Sequence, residues 1–220
     1  MSMAKKAGIV HTTINTVFAI RDEFARQFPG HQLVNIVDDS MVAEVVADGV
    51  TPHLIYRLTT YYRHLENLGC AAILNQCTSA VPAAEIAAKS VGIPVFHIDR
   101  PMAREAASLG RRIGVVATAV STLEPSRRTF ETVAAERGEP GEIKVYFCEG
   151  AHAALFQRRD QELHDQIVYD TAKRAARECD VLALAQCSMA SLAPRLSGLG
   201  VPVLTSIESG IRQLKDVLGE

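Results

Sequence analysis

Two short stretches of this chain combine a glutamine, a cysteine and a hydroxyl: Gln76-Cys77-Thr78 and Gln186-Cys187-Ser188. Each follows an apolar run and precedes a probable helix. In open α/β sheets, ligands bind at the C-terminal ends of strands. Helix N-termini there offer free N–H groups and a positive partial charge. A cysteine at such a point has its thiolate stabilised, which makes it a usable base or nucleophile. The hydroxyls of Thr78, Ser79 and Ser188 can cap the helices or hold a carboxylate. Two thiols on opposite walls of one cleft suit a particular reaction. One thiolate removes a proton from a carbon next to a carbonyl, and the other thiol returns a proton to the opposite face. The carbon inverts without a cofactor, provided one thiol is ionised and the other protonated near neutral pH.

The elements that must position these cysteines alternate along the chain. Apolar runs fall at Ala7–Val10, Leu33–Val37, Ala71–Leu74, Val95–Ile98, Ile113–Ala117, Ile143–Phe147, Val181–Ala185 and Val201–Leu204. Continuous runs of this length suit strands buried on both faces, as in parallel sheets. Helical patterns lie between them. One runs from Thr16 to Phe28 and stops at Pro29-Gly30. Another opens on Thr51-Pro52, an N-cap followed by proline at the first helical position. A third opens on Ser121-Thr122-Leu123-Glu124, a capping-box pattern. A fourth runs from about Asp160 to Glu178. Strands alternating with helices indicate an α/β protein.

The chain also repeats itself. The segment Gly69–Ala80 lies over Cys179–Ala190 at an offset of 110 residues. Gly92-Ile93-Pro94-Val95 matches Gly200-Val201-Pro202-Val203, and Gly8-Ile9-Val10-His11-Thr12 matches Gly114-Val115-Val116-Ala117-Thr118. The expected architecture is two pseudo-symmetric doubly wound domains with four-stranded, mostly parallel sheets facing a shared cleft. Residues 1–100, joined by a C-terminal helix at 206–220, form the first, and 101–205 the second.

Composition excludes other classes. Formal net charge is −2, with 48% hydrophobic and 22% charged residues. That balance argues against disorder and against the basic excess of a nucleic-acid-binding module. No segment approaches the ~20 apolar residues that span a bilayer. Lys5 and Lys6 precede no secretory apolar region, so a cytoplasmic protein without membrane partners is expected. Five cysteines, none in a CxxC pair, read as free thiols in a reducing compartment. His and Cys do not occur at zinc-site spacing, so no metal is expected. Gly110-Arg111-Arg112-Ile113-Gly114 matches neither common nucleotide-binding glycine motif.

On these motifs the chain resembles the aspartate/glutamate/hydantoin racemase superfamily over essentially its whole length. The residues that carry the resemblance are Asn75-Gln76-Cys77-Thr78, Cys187-Ser188-Met189, and Gly114-Val115-Val116-Ala117-Thr118 followed by Ser121-Thr122. The resemblance implies a cofactor-independent isomerase acting on a small carboxylate or amide, with catalytic cysteines at Cys77 and Cys187. It implies anion-binding hydroxyls and amides at Thr78, Ser79, Thr118, Thr122 and Ser188. His11, Thr12, Thr13, Asn75 and Met189 are assigned to substrate binding beside them. A homo-oligomer is compatible with this reading. The chain departs from glutamate and aspartate racemases by carrying His11-Thr12-Thr13 after the first run and Met189 after Ser188.

Two other functions fit the same motifs. One is a cis–trans isomerase of a small unsaturated diacid with nucleophilic Cys77. The other is a non-catalytic small-molecule binding protein. Among the remaining residues, Cys70, Cys148 and Cys179 read as core thiols. Asp38-Asp39 and Ser121 read as helix caps. His97 and His152 are secondary cleft candidates, and His53, His64 and His164 read as surface or packing residues. Arg111-Arg112 reads as a solvated loop.

Overall fold

The structure, a computed structural model, describes residues 4–138 and 141–219. The outermost residues of the expected first domain, 1–3 and 220, lie outside that range. The chain divides into two compact units, Met1–Ile98 with Ile207–Glu220, and Asp99–Ser206.

The first unit runs β1 (Lys6–His11), α1 (Val17–Gln27), β2 (Gln32–Val37), α2 (Ser40–Asp48), α3 (Pro52–Asn67), β3 (Cys70–Asn75), α4 (Val81–Ala87) and β4 (Val95–His97). The second runs α5 (Arg100–Leu109), β5 (Arg112–Ala117), α6 (Val120–Glu136), β6 (Glu142–Phe147), α7 (Ala151–Phe156), α8 (Gln161–Ala175), β7 (Val181–Leu184), α9 (Ala193–Leu196) and β8 (Val203–Thr205). The chain ends in α10 (Ser206–Arg212) and α11 (Lys215–Leu218), and from Ile207 onward it belongs to the first unit.

Each unit holds one four-stranded sheet, ordered β2-β1-β3-β4 and β6-β5-β7-β8. Every strand pair is parallel. The identical order is the spatial form of the sequence repeat. The order in which successive strands are added reverses between β1 and β3, and again between β5 and β7. Helices diverge at such a switch point and leave a crevice beyond the strand ends.

Burial explains why the central strands were the easiest to read. In β1 every residue from Ala7 to His11 is buried, and in β5 every residue from Ile113 to Ala117. The edge strands β2 and β6 contain no buried residue. In the first unit Val10 and Ile73 pack against Leu54, Leu58, Tyr62 and Leu65 of α3. The second sheet is covered on both faces. Val116, Leu182 and Leu184 pack with Val168, Ala172 and Ala175 of α8. Val115 and Ala183 pack with Met102 and Ala106 of α5 and Phe130 and Val133 of α6. Each large apolar side chain so buried contributes roughly 1.5–3 kcal/mol.

Two repeat-related glycines permit this close packing. A Cβ on Gly8 would lie 2.7 Å from Leu65 Cδ1, and one on Gly114 would lie 2.6 Å from Leu182 Cδ2. In the first unit α11 lies against β3. Gln213 Nε2 donates to the His97 carbonyl at 3.0 Å, and Lys5 Nζ to the Val217 carbonyl at 2.7 Å.

The helix signals held at two points and failed at others. Thr51 Oγ1 accepts from the Leu54 N–H at 2.9 Å, with Pro52 at the first position of α3. Asp160 caps α8 by accepting from Leu163 N–H at 2.9 Å. Ser121, however, is not a cap. The extended residue before α6 is Ala119, so the helix has already begun when the chain reaches Ser121. Asp39 stands at the N-cap of α2 without a side-chain cap bond. Asp38 instead receives Arg57, Ser40 and Tyr61. Arg112 is not loop but the first residue of β5, paired with Asp180. The runs at Val95 and Val201 give short strands, and the second begins only at Val203. Pro94 and Pro202 supply no N–H, but their carbonyls accept from Ile73 and Leu182 at 2.9 Å and start each ladder.

Candidate active site

The first set of candidate residues lies at the C-terminal edge of β1 and β3, beside the switch point of the first sheet. Val10 pairs with Asn75, so the two strand ends lie side by side. β3 ends at Asn75, and Gln76 then donates its N–H to the Val10 carbonyl at 3.3 Å. Cys77 remains extended and starts a 3-10 turn, Thr78–Ala80, that runs into α4. Two donors hold the Cys77 carbonyl: Asn75 Nδ2 at 2.9 Å and the Ala80 N–H at 3.2 Å. Asn75 is fully buried, its Nδ2 lies 3.5 Å from His97 Nδ1, and its Oδ1 has no hydrogen-bond partner. Thr78 and Ser79 are buried beside Cys77 in the same turn.

His11, the last residue of β1, is fully buried. Burial pulls its pKa below the ordinary histidine range, only partly opposed by the hydrogen bond to Asn35. His11 is therefore neutral near pH 7. With Nε2 bonded to Asn35 Oδ1 at 2.9 Å, Nδ1 is left as a buried acceptor without a partner. Thr12 is buried, while Thr13 is half-buried and its hydroxyl accepts from Asn15 N–H at 3.3 Å. Tyr62 of α3 belongs to the apolar cluster that includes Cys77. Burial, and then the negative charge of a Cys77 thiolate, push its phenol well above the ordinary range.

The second set repeats this station in the second unit. Ala185 N–H donates to the Val116 carbonyl at 2.9 Å, which places the ends of β5 and β7 together. Gln186 Oε1 accepts from the Thr118 N–H at 3.1 Å and ties the strand ends across the switch point. Cys187 then starts a 3-10 turn, Cys187–Leu192. Its Sγ lies 3.4 Å from Ser206 Oγ, and both residues are buried. Thr118 and Thr122 are buried, and Thr122 N–H donates to the Ala119 carbonyl at 3.0 Å. Ser188 is half-buried, whereas Met189 is fully buried in the core among Val116, Leu184 and Leu192.

Cys70, Cys148 and Cys179 are buried in core clusters. Burial raises the Cys70 thiol pKa and pushes Cys148 up to about 11, which suppresses thiolate chemistry at both. His152 stacks on Phe156, with ring centroids 4.6 Å apart. His164 is a packing residue, fully buried, with Nδ1 2.8 Å from Asp165. Sequence reasoning missed Tyr62, Ser206 and the Gln186–Thr118 tie. The glutamine stands inside a motif it did identify; the other two depend on tertiary neighbours. Among the described residues, no group of three or more His, Cys, Asp or Glu is arranged to hold a metal ion. No described helix is long and apolar enough to cross a membrane.

A duplicated parallel α/β fold with a cysteine turn past each switch point defines a recognisable class. The chain belongs to the Asp/Glu/Hydantoin racemase family, whose pattern it matches over residues 9–214. Among solved structures it is similar to a glutamate racemase isoform from Bacillus anthracis, with 19% identity and a TM-score of 0.75 over 99% of this chain and 82% of that one. It is similar to the Picrophilus torridus aspartate racemase, with 14% identity and a TM-score of 0.73 over 98% and 95%. It is also similar to an allantoin racemase from Klebsiella pneumoniae, with 16% identity and a TM-score of 0.70 over 98% and 88%. No curated protein sequence matches it significantly.

Proposed function

We propose that this protein is a cofactor-independent racemase or epimerase that inverts a carbon next to a carboxylate or amide carbonyl. Cys77 and Cys187 exchange the proton. The observation that carries this reading is the matched station of the two thiols. Cys77 is the second residue past the end of β3 and Cys187 the third past the end of β7, each beside a switch point and each at the start of a 3-10 turn. One thiolate takes the α-proton and becomes a thiol, leaving an enolate. The other thiol donates its proton to the opposite face and becomes the thiolate. Atoms balance, and the enzyme is left with its two thiol states exchanged. General acid–base transfer of this kind contributes ~10²–10⁴ per group.

Each thiol's own unit supplies neutral polar groups. His11, Asn75 and Thr78 in the first unit, and Thr118, Gln186 and Thr122 in the second, offer hydrogen bonds without net charge. They serve to orient a small carboxylate or amide substrate. The reading is tested by incubating chiral carboxylates, amino acids and hydantoins with the protein in deuterated water. Deuterium appearing at the α-carbon together with loss of optical activity supports it. A Cys77 mass adduct with an unsaturated diacid, and no α-exchange, would point to cis–trans isomerisation instead. Ligand-induced stabilisation without exchange would point to a binding protein.

A further inference from the structure

We propose that Ser206 is the positioning residue of Cys187, its hydroxyl holding the sulfur and favouring the thiolate. Ser206 directly follows β8, and β8 lies beside β7 with Leu184 paired to Thr205. That adjacency brings the hydroxyl to 3.4 Å from the Cys187 sulfur, although 19 residues separate them in sequence. Ser206 is 1% exposed and Cys187 8%, so little water competes for the contact. A thiolate can only accept, so in the charged state the serine O–H must donate to it. A hydrogen bond made to the charged form stabilises that form. Burial alone would do the opposite to a thiol, so the hydroxyl offsets a cost that the site itself imposes.

A serine at this station belongs to the second unit alone. The repeat that aligns Gly92–Val95 with Gly200–Val203 places Ile98 at the station of Ser206. Ile98 is buried and has no hydroxyl to offer. At the first site the Asn75 side chain holds the Cys77 carbonyl.

The catalytic meaning of this contact rests on the two-thiol reading, but its test needs no substrate. Iodoacetamide alkylation of Cys187 is followed by site-resolved mass spectrometry between about pH 6 and pH 10, where thiols ionise. The proteins compared are the wild type, Ser206→Ala, Ser206→Thr and Ser206→Val. Threonine and valine have the same shape and differ in the hydroxyl, so the pair separates hydrogen bonding from packing. The Ala and Val variants should raise the Cys187 midpoint by about one pH unit and slow its alkylation at neutral pH about tenfold. The Thr variant should titrate like the wild type, and Cys77 should keep its own profile throughout. Identical Cys187 profiles in the Thr and Val variants would overturn the proposal, as would equal shifts at both cysteines. Failure of α-deuterium exchange with these profiles as expected would leave Ser206 in place and remove the racemase reading alone.

Discussion

The Asn75 side chain donates to the carbonyl oxygen of Cys77 at 2.9 Å, two residues away and out of contact with solvent. The last residue of the strand thus sets the direction in which the chain leaves it. It holds Cys77 extended before the turn that begins at Thr78. The thiol is placed by a backbone clamp rather than by packing alone.

Removing that clamp should cost stability and position together. Asn75→Ala deletes a buried amide and loosens the Cys77 carbonyl, with an expected loss of about 1–3 kcal/mol. Urea unfolding measures the loss. Turnover should fall even where the folded fraction is full, because the thiol is no longer held. An Asn75→Ala protein with unchanged urea midpoint and unchanged turnover would show the clamp to be idle.

His11 sets a pH dependence on the acid side. Its pKa is lowered in the folded protein by burial. Below its ordinary value of about 6.5 the unfolded chain takes up a proton that the folded protein does not. Stability therefore falls as pH drops from about 6.5 toward the lowered folded value, by at most about 1.4 kcal/mol per pH unit. His152, whose pKa is also lowered by burial and then by His164, acts in the same direction. His11→Gln should flatten part of this slope in urea midpoints compared at about pH 7.5 and 5.5. An unchanged slope would show that His11 is protonated in the fold.

Arg57 joins α3 to the turn before α2. Its guanidinium bonds Asp38, and its Nη1 lies 2.8 Å from Glu44, with all three side chains largely buried. Burial opposes ionisation of Asp38, but the bonds from Arg57, Ser40 and Tyr61 outweigh it and bring the carboxyl to about 2. A carboxyl lowered in the fold stabilises above its unfolded value of about 3.9, and that share is lost as pH falls from there toward 2. Arg57→Met strands two carboxylates and should destabilise by about 3 kcal/mol at neutral pH. It should also weaken the acid dependence between about pH 4 and 2. Thermal melts of both proteins across that range check the sign.

Gly8 and Leu65 form a matched pair. Gly8→Ala puts a methyl against Leu65 and should cost about 1–3 kcal/mol by overpacking. Combining it with Leu65→Val should restore part of the loss, because the two residues are in contact. Strict additivity in the double variant would show that the strand and α3 move apart instead.

What the chain disclosed by its sequence follows from where local and global preferences agree. Ala7–Val10 and Ile113–Ala117 read as strands because both faces of a central parallel strand are buried, so no polar residue interrupts them. Thr51 reads as a cap because a cap is a contact three residues long. The short helices α2, α4 and α7 left too few turns for a periodic signal. Ser121 carried the pattern of a cap, but the chain entered the helix a residue earlier, at Val120. Cys77 and Cys187 stood out only because the sequence repeats. Ser206 and Arg57 did not, since each acts on a residue 19 positions away through neighbouring elements.

The central claim is that two thiols share one proton transfer, and enantiomer-specific exchange in deuterated water tests it most directly. Cys77→Ser and Cys187→Ser are each incubated with the two enantiomers of a substrate, and polarimetry runs alongside. A serine hydroxyl is a far weaker acid and base than a thiol, so net racemisation should fall by ~10²–10⁴ or more in each variant. Each variant should still exchange the α-proton of one enantiomer, and the two should favour opposite enantiomers. The double variant need not be much worse than either single one. Near-full racemisation in either single variant, or exchange of the same enantiomer in both, would contradict the two-thiol account.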